Sequence, residues 1–259
     1  MTVLIAHVSD LHLGAHDPAA VETLAADVAA AGPTLTVVTG DCTMRARPDQ
    51  FRLAAALLER LPGPCLVVPG NHDVPLALPV RLARPYTRYL TWIRADLDPL
   101  VRVPGLTALG LNSMPRWRWK AGAVTRRQSA AVADLLGAAG RDVRLLALHH
   151  PPFGPGAFVG RARLERALVA AGVDLVLAGH THVPRARRVS LRADGRTHEV
   201  VEDIAGTATS HRVRGTPRSW TLIRVDPDSI ETTERHERSG TWHPAGTTRF
   251  SRAATNGAG

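Results

Sequence analysis

Short apolar runs alternate with amphipathic stretches along the first two thirds of the chain. The apolar runs are rich in β-branched residues and have the length of buried strands, and they cover residues 3–8, 35–39, 65–68, 106–111, 144–148 and 174–178. The amphipathic stretches predict helices at residues 18–31, 49–61, 125–139 and 161–171, and a proline-broken segment at 76–95 that is helical in its second half. This alternation predicts a parallel sheet covered by helices.

Beyond residue 186 the pattern changes from helical to alternating. Four predicted strands cover residues 187–191, 198–204, 219–225 and 230–236, with turn sequences such as Ala193-Asp194-Gly195 between them. We expect these strands to form an antiparallel sheet that completes the fold. The sequence contains no internal repeat and no linker, so we predict one domain over residues 1–252 and a disordered tail of small and polar residues at 253–259.

The composition is that of a globular protein. The chain has 259 residues, of which 44% are hydrophobic and 21% are charged, and this excludes a disordered or fibrous protein. No apolar stretch reaches the roughly 18 residues that a transmembrane helix needs, and the first residues lack the basic region of a signal peptide. We therefore predict no membrane association and a cytoplasmic location. Two cysteines cannot form a multi-bridge disulfide framework.

The formal net charge of +9 favours anionic partners, because a positive field raises the local concentration of polyanions. The basic residues are almost all arginine, and they are scattered along the sequence rather than massed in one run. A small phosphorylated ligand is therefore favoured over nucleic acid, which stays open as a partner. Nothing in the sequence predicts an oligomeric state.

Candidate metal ligands follow the ends of five predicted strands. They lie in Asp10-Leu11-His12, Gly40-Asp41, Gly70-Asn71-His72-Asp73, His149-His150 and Gly179-His180-Thr181-His182. Each fragment alone is typical of an ordinary turn or of a histidine with a structural role. Because the loops at the carboxyl ends of parallel strands converge on one crevice, we expect all five to meet. Carboxylate, imidazole and amide groups together suit borderline divalent metals.

In this order the fragments resemble the calcineurin-like metallophosphoesterases, which include cyclic-nucleotide phosphodiesterases, purple acid phosphatases and protein serine/threonine phosphatases. The segments Gly70-Asn71-His72-Asp73 and His149-His150-Pro151-Pro152 look most like the bacterial class III cyclic-nucleotide phosphodiesterases. The resemblance implies a four-layer α/β/β/α sandwich with two mixed sheets. It also implies a dinuclear centre of two divalent ions, which could be manganese, iron, zinc or nickel.

The resemblance also implies how the ligands divide between the two ions. One ion would take two carboxylates and two imidazoles, from Asp10, His12, Asp41 and His182. The other would take a carboxylate, an amide and two imidazoles, from Asp41, Asn71, His149 and His180. Asp41 would then bridge the pair, and the two carboxylates would leave the centre with net positive charge that favours an anionic substrate.

Three further residues receive roles by the same resemblance. His72 would contact the substrate phosphate or protonate the leaving oxygen, and Asp73 would orient His72. His150 is a weaker candidate ligand than His149, and we expect it in the wall of the site. Cys42, beside the bridging carboxylate, is expected to pack into the core rather than bind a metal.

The implied activity is hydrolysis of a phosphodiester by in-line attack of a metal-bridging hydroxide, with 3′,5′-cyclic nucleotides as candidate substrates. The alternatives within the family are a phosphomonoesterase and a nuclease. A non-catalytic binding module that keeps its metals for structure is disfavoured, because the ligand set leaves room for water and substrate. An arginine-rich nucleic-acid-binding protein with incidental histidines is the weakest alternative.

For three further segments, the sequence is compatible with two interpretations each. Residues 117–120, with two tryptophans and two cations, could cover the cleft or stack on a base, and could equally pack as a hairpin. Residues 206–215 could bring a hydroxyl or an arginine toward a phosphate, or form a solvated loop. Asn112-Ser113 could open on the crevice or serve as a turn.

Overall fold

The computed structural model describes residues 1–154 and 156–252. The tail predicted at 253–259 lies outside the described residues. Within them, no helix has both the length and the apolar character needed to cross a bilayer.

Twelve strands and six α-helices form the described part of the chain. The strands are β1 Val3–Val8, β2 Leu35–Val38, β3 Cys65–Val67, β4 Leu100–Val103, β5 Leu106–Leu111, β6 Val143–Leu148, β7 Leu175–His182, β8 Arg185–Ala193, β9 Arg196–Gly206, β10 Ser219–Val225, β11 Ser229–Arg238 and β12 Thr241–Ser251. The helices are α1 Pro18–Ala30, α2 Pro48–Arg60, α3 Leu78–Ala83, α4 Thr87–Trp92, α5 Arg126–Ala131 and α6 Arg161–Ala171. A 3₁₀ turn at Asn71–Asp73 and a π-helical turn at Val132–Leu136 complete the elements.

The strands form two six-stranded mixed sheets. The first has the order β12-β11-β10-β1-β2-β3, and the second has the order β4-β5-β6-β7-β9-β8. Strands β1, β2 and β3 are parallel, as are β5, β6, β7 and β9, whereas β4, β8, β10, β11 and β12 pair antiparallel. Apart from β9, which has an alternating pattern, the parallel strands are the ones that the apolar runs predicted, because strands covered on both faces need apolar residues throughout.

Three apolar layers separate four layers of structure. The largest cluster lies between the two sheets and joins Ile5 and Val37 of the first sheet to Leu145 and Leu177 of the second. A second cluster packs α1 and α2 on the outer face of the first sheet. A third packs α6 and the π-helical turn on the outer face of the second sheet. The structure therefore confirms the predicted four-layer α/β/β/α sandwich.

The last five strands do not form a sheet of their own, and the expectation of a separate antiparallel sheet is wrong. Strands β8 and β9 extend the second sheet, where β9 pairs parallel with β7, and β10 to β12 extend the first sheet from β1. Burial explains this arrangement, because each group of strands continues the apolar layer of the sheet that it joins. The C-terminal third thus widens both sheets at once.

Two strands and two helix boundaries were not predicted. Strand β12 has Pro244 and Gly246 in its middle and is mostly exposed, so it lacks an alternating pattern, and proline is tolerated because the strand lies at an edge. Strand β4 is four residues long and also lies at an edge. The helix expected to reach residue 139 changes to π-helical geometry at Val132. The segment 76–95, expected to be helical in its second half only, forms two short helices, one on each side of Pro85.

A buried polar pair joins the two sheets beneath the strand ends. His7 of β1 places Nδ1 2.6 Å from a carboxylate oxygen of Asp203 in β9, and its Nε2 lies 2.9 Å from the hydroxyl of Thr39. His7 and Asp203 are almost wholly excluded from solvent. Because a buried carboxylate without its partner keeps the full cost of desolvation, the pair makes the sandwich sensitive to the loss of either residue.

We expect Asp203→Ala to lower the free energy of unfolding by about 1–3 kcal/mol, because it leaves Nδ1 of His7 buried without its hydrogen-bond partner. Glu199→Ala, in the same strand, removes an exposed ion pair with Arg188 and should cost less than about 1 kcal/mol. Urea unfolding of both variants followed by circular dichroism measures the difference. Equal losses in the two variants would contradict a special role for the buried pair.

Candidate metal centre

The five motifs meet at one end of the sandwich, where strands of both sheets end. Asp10, Asp41 and Asn71 follow β1, β2 and β3 of the first sheet, and His149 follows β6 of the second. The Gly-His-Thr-His motif forms the last residues of β7. The site therefore lies across the seam between the sheets, and each sheet contributes residues to both of its clusters.

The first cluster contains the four residues expected on the first ion. The Nε2 atoms of His12 and His182 lie 3.0 Å apart, and Nε2 of His182 lies 3.1 Å from Oδ1 of Asp10. Nε2 of His12 lies 3.6 Å from Oδ2 of Asp41. Four donor atoms that converge at such spacing surround a volume suited to one cation.

The second cluster contains the other predicted set. Oδ1 of Asn71 lies 3.2 Å from Nε2 of His149 and 3.1 Å from Nδ1 of His180. Nε2 of His149 lies 3.4 Å from Oδ2 of Asp41. The same oxygen of Asp41 therefore faces both clusters, as the position of a bridging ligand requires.

The donor chemistry of these residues fits divalent metals. Nδ1 of His149 lies 2.7 Å from the carbonyl oxygen of Thr39, and Nδ1 of His182 lies 2.7 Å from the carbonyl oxygen of Arg212. A carbonyl can only accept, so each Nδ1 carries the proton and each Nε2 turns a lone pair to the centre. Oδ1 of Asp10 is buried there without a hydrogen-bond donor among the described residues. These are the features of a site prepared for cations.

Electrostatics at the site point the same way. Burial opposes ionisation of Asp10 and Asp41, yet the surrounding histidines hold the pKa of each carboxyl well below its usual range. The two carboxylates stay ionised and attract positive charge.

A comparison with protein families agrees with this geometry. Residues 3–184 match the model of the family described as calcineurin-like phosphoesterases, which is more than half of the 259 residues. The chain belongs to this family. The match ends just after His182, so it includes every predicted ligand of the phosphoesterase.

Two curated relatives carry names that refer to cyclic nucleotides. A cAMP/cGMP dual specificity phosphodiesterase of Mycobacterium tuberculosis is 27% identical over 212 residues, which are 76% of this chain and 64% of the relative. The chain thus spans less than two thirds of that protein. A probable cyclic nucleotide phosphodiesterase of Synechococcus is 24% identical over 258 residues, with 91% of this chain and 92% of the relative covered.

Solved structures share the fold at low sequence identity. A purple acid phosphatase from yellow lupin seeds superposes with a TM-score of 0.69 at 12% identity, covering 97% of this chain and 54% of that one. Vacuolar protein sorting 29 from Cryptosporidium parvum superposes with a TM-score of 0.53 at 14% identity, covering 97% of this chain and 99% of that one. These likenesses show the fold alone.

Backbone strain is concentrated at the predicted metal ligands. Five of them adopt the left-handed region, with φ of 53° at Asp10, 48° at His12, 52° at Asp41, 70° at His180 and 60° at His182. This conformation costs about 1–2 kcal/mol for a residue with a side chain. Such strain persists where the surrounding structure imposes it and is typical of functional sites. It turns each side chain from its strand end into the centre.

Two glycines allow the backbone to approach the carboxylates. A Cβ atom on Gly70 would overlap Oδ1 and the backbone nitrogen of Asp41. A Cβ atom on Gly179 would overlap the hydroxyl of Ser9 and lie 2.5 Å from Oδ2 of Asp10. The glycines of the Gly-Asn-His-Asp and Gly-His-Thr-His motifs are therefore required by close packing against Asp41, Ser9 and Asp10.

The structure contradicts the expectation that Asp73 orients the imidazole of His72. The buried carboxylate of Asp73 instead accepts hydrogen bonds from the backbone N–H groups of Gly70, Cys42 and Thr43, at 2.9, 3.1 and 2.8 Å. Burial, together with the charge of Asp41, raises its pKa to about 6. The 3₁₀ turn directs this side chain inward, so Asp73 holds the loop that carries Asp41 rather than the ring of His72.

His72 lies at the half-buried mouth of the site. Its backbone N–H donates to Oδ1 of Asp41 at 2.8 Å, and its ring lies 4.7 Å from that of His12. Nδ1 lies 2.8 Å from the carbonyl oxygen of Met44, and Nε2 lies 3.1 Å from the guanidinium of Arg212. The imidazole is therefore fixed by the segment after Asp41 and by the 206–215 segment.

Other predicted residues lie around the second cluster. The ring of His150 lies 4.7 Å from that of His180, and its Nδ1 is 2.8 Å from the hydroxyl of Ser113. His150 thus stands in the wall, with Ser113 buried behind it rather than open to the crevice. The thiol of Cys42 packs in the core with α1 and α2, and burial raises its pKa well above the usual value.

Sequence reasoning missed one feature of the site and left a second one open. The carbonyl of Thr39 orients His149, and a backbone acceptor leaves no trace in a sequence. Arg212 was contained in the 206–215 segment, for which an arginine near phosphate was one of the two interpretations. Nothing in the sequence distinguishes Arg212 from the neighbouring Arg214.

We expect Gly70→Ala to weaken Mn²⁺ binding by about 10- to 100-fold, the usual effect of disturbing a residue that supports a ligand. The added methyl group would displace the carboxylate of Asp41. Gly246→Ala is the matched control, because a Cβ atom there meets nothing within 4 Å. Isothermal titration calorimetry with Mn²⁺ measures both, and unchanged affinity in Gly70→Ala would refute this account of the glycine.

Proposed function

We propose that this phosphoesterase is a dinuclear-metal phosphodiesterase that hydrolyses a P–O bond in a small phosphodiester, with 3′,5′-cyclic nucleotides as candidate substrates. The observation that carries the proposal is the position of Asp41, whose Oδ2 lies 3.6 Å from a donor of the first cluster and 3.4 Å from a donor of the second. One carboxylate between two donor sets supports a pair of ions rather than a single one. The names of the two curated relatives support the choice of a diester.

When bound, two divalent cations would supply Lewis-acid charge and lower the pKa of a water molecule to near neutrality. The chain's own residues hold and balance that charge. Asp10 and Asp41 would neutralise two of four positive charges, while Asn71 and the imidazoles add none, so an anionic phosphodiester is attracted. The main-chain carbonyls that fix His149 and His182 keep the ligand atoms in place.

His72 is the residue that we propose to meet the substrate. Its ring faces the first cluster across 4.7 Å, and its Nδ1 is held at the carbonyl of Met44, so Nε2 is the atom turned to the cleft. Arg212 reaches the same atom. His72 would contact the phosphoryl group or the leaving oxygen, where transfer of a proton typically contributes about 10²- to 10⁴-fold.

We expect protein loaded with Mn²⁺ to hold about two ions per chain and to hydrolyse bis(p-nitrophenyl) phosphate, whereas Asp41→Ala abolishes both properties because it removes the shared ligand. Metal analysis after desalting and release of p-nitrophenol measure the effects. Asp49→Ala, at the exposed start of α2, is the control. Hydrolysis of bis(p-nitrophenyl) phosphate by Asp41→Ala at the rate of the unaltered protein would refute the proposal.

We expect His72→Ala to lower kcat by about 10²- to 10⁴-fold while both metals stay bound, since His72 is outside the two ligand sets. Metal content and single-substrate kinetics on the same preparation separate the two effects. Loss of metal together with activity would make His72 a ligand. A substrate panel of a monoester, a cyclic nucleotide and single-stranded DNA tests the monoesterase and nuclease alternatives. A higher kcat/KM on the monoester than on the cyclic nucleotide would favour a monoesterase, and a higher kcat/KM on DNA would favour a nuclease.

A further inference from the structure

A small cavity of about 290 Å³ opens beside His72 and Asn71, next to the candidate metal centre. Three cations, Arg45, Lys120 and Arg212, line it together with an apolar wall that includes Leu76 and Trp119. They come from three separate parts of the chain, namely the segment after β2, the loop after β5 and the 206–215 segment. The fold thus gathers distant cations at one place.

Within the part of the chain that the structure describes, none of these three cations lies within 4.0 Å of a carboxylate oxygen. The lining of the cavity, as far as the structure describes it, includes no carboxylate. Arg45 and Arg212 instead reach the two nitrogens of His72, at 3.3 and 3.1 Å. Like charges held this close repel one another, so an anion bound among them would relieve the repulsion.

The charge of a simple diester does not account for this cavity. A phosphodiester bears one negative charge, and the candidate metal centre would already attract it with net positive charge. The cations beside His72 are additional to that centre, and guanidinium groups bind phosphate by paired, charge-assisted hydrogen bonds. This additional positive charge matches a substrate that has a second phosphate group.

The apolar wall fits the rest of such a molecule. Trp119 is about half exposed, and the guanidinium of Arg81 lies 4.5 Å from the centre of its ring, which holds the indole in place. A fixed indole beside cations is suited to a sugar or a base attached to a phosphate. The combination favours a nucleotide over inorganic phosphate.

We propose that the cavity lined by Arg45, Lys120 and Arg212 binds a second phosphate group of the substrate, so that the preferred substrates are phosphodiesters with a further phosphate, such as 5′-phosphorylated dinucleotides. The inference rests on the proposed function, because it assigns the substrate class of the same site. A cyclic mononucleotide would occupy the metal centre and leave these cations without a partner.

A matched substrate pair tests this inference. Adenylyl-(3′→5′)-adenosine is offered to the Mn²⁺-loaded protein with and without a 5′-terminal phosphate, so that the scissile bond is the same in both. Attack of water with cleavage of the P–O3′ bond would give two AMP from the phosphorylated compound and adenosine plus AMP from the other. We expect kcat/KM to be about tenfold or more higher for the phosphorylated compound, mainly through KM. Equal kcat/KM for the two would overturn the inference.

Charge-neutral variants test the residues. Lys120→Gln and Arg212→Gln should each reduce the preference for the phosphorylated compound by about threefold or more, whereas Arg192→Gln should leave it unchanged. Arg192 is an exposed cation near the far end of the β8–β9 hairpin, away from the site. Equal losses on both substrates would assign the cations to the scissile phosphate instead and overturn the inference.

Two further outcomes separate the inference from the proposed function. Release of inorganic phosphate with the dinucleotide left intact would show that the terminal phosphate enters the metal centre, which overturns the inference. If no diester is hydrolysed, the proposed function fails. Isothermal titration calorimetry with the same two compounds then tests whether the cavity binds a phosphate group. Tighter binding of the phosphorylated compound, abolished in Lys120→Gln, would support the inference. Equal binding of the two compounds would refute it.

Discussion

The position of a single carboxylate oxygen, Oδ2 of Asp41, constrains much of the surrounding structure. For that oxygen to face both ligand clusters, Asp41 adopts a left-handed backbone and the chain at Gly70 approaches it closely enough to exclude any side chain. The buried carboxylate of Asp73 then ties the two segments together by accepting N–H groups from both. Each of these features restricts a movement that would take the oxygen of Asp41 out of the middle of the site.

This arrangement works against stability, and the fold offsets the cost elsewhere. Several strained residues and buried carboxylates lie at the seam where the two sheets meet, so the sheets must be held together below it. The apolar layer between them and the pair formed by His7 and Asp203 provide that link. Thr39 connects the two regions, since its hydroxyl meets His7 and its carbonyl orients His149.

The sequence predicts the parts of this protein that follow from periodicity and topology. Buried parallel strands need unbroken apolar runs, and their carboxyl ends converge. The sequence therefore predicts that Asp10, Asp41 and His149 lie close together. The partners of Asp73 could not be predicted, because they depend on which way one 3₁₀ turn directs a side chain. Strand β12 could not be predicted, because most of its residues are exposed and it contains a proline, both of which an edge strand tolerates.

Arg212 shows how one residue can join ligand support to substrate charge. Its carbonyl accepts from Nδ1 of His182, which fixes a ligand of the first cluster, while its guanidinium reaches Nε2 of His72 at the mouth of the cavity. A change of side chain removes the charge and keeps the carbonyl. The two contributions are therefore separable, and a loss confined to the 5′-phosphorylated substrate would belong to the guanidinium alone. Loss of metal in the same variant would instead show that the carbonyl had moved, because the tautomer of His182 depends on it.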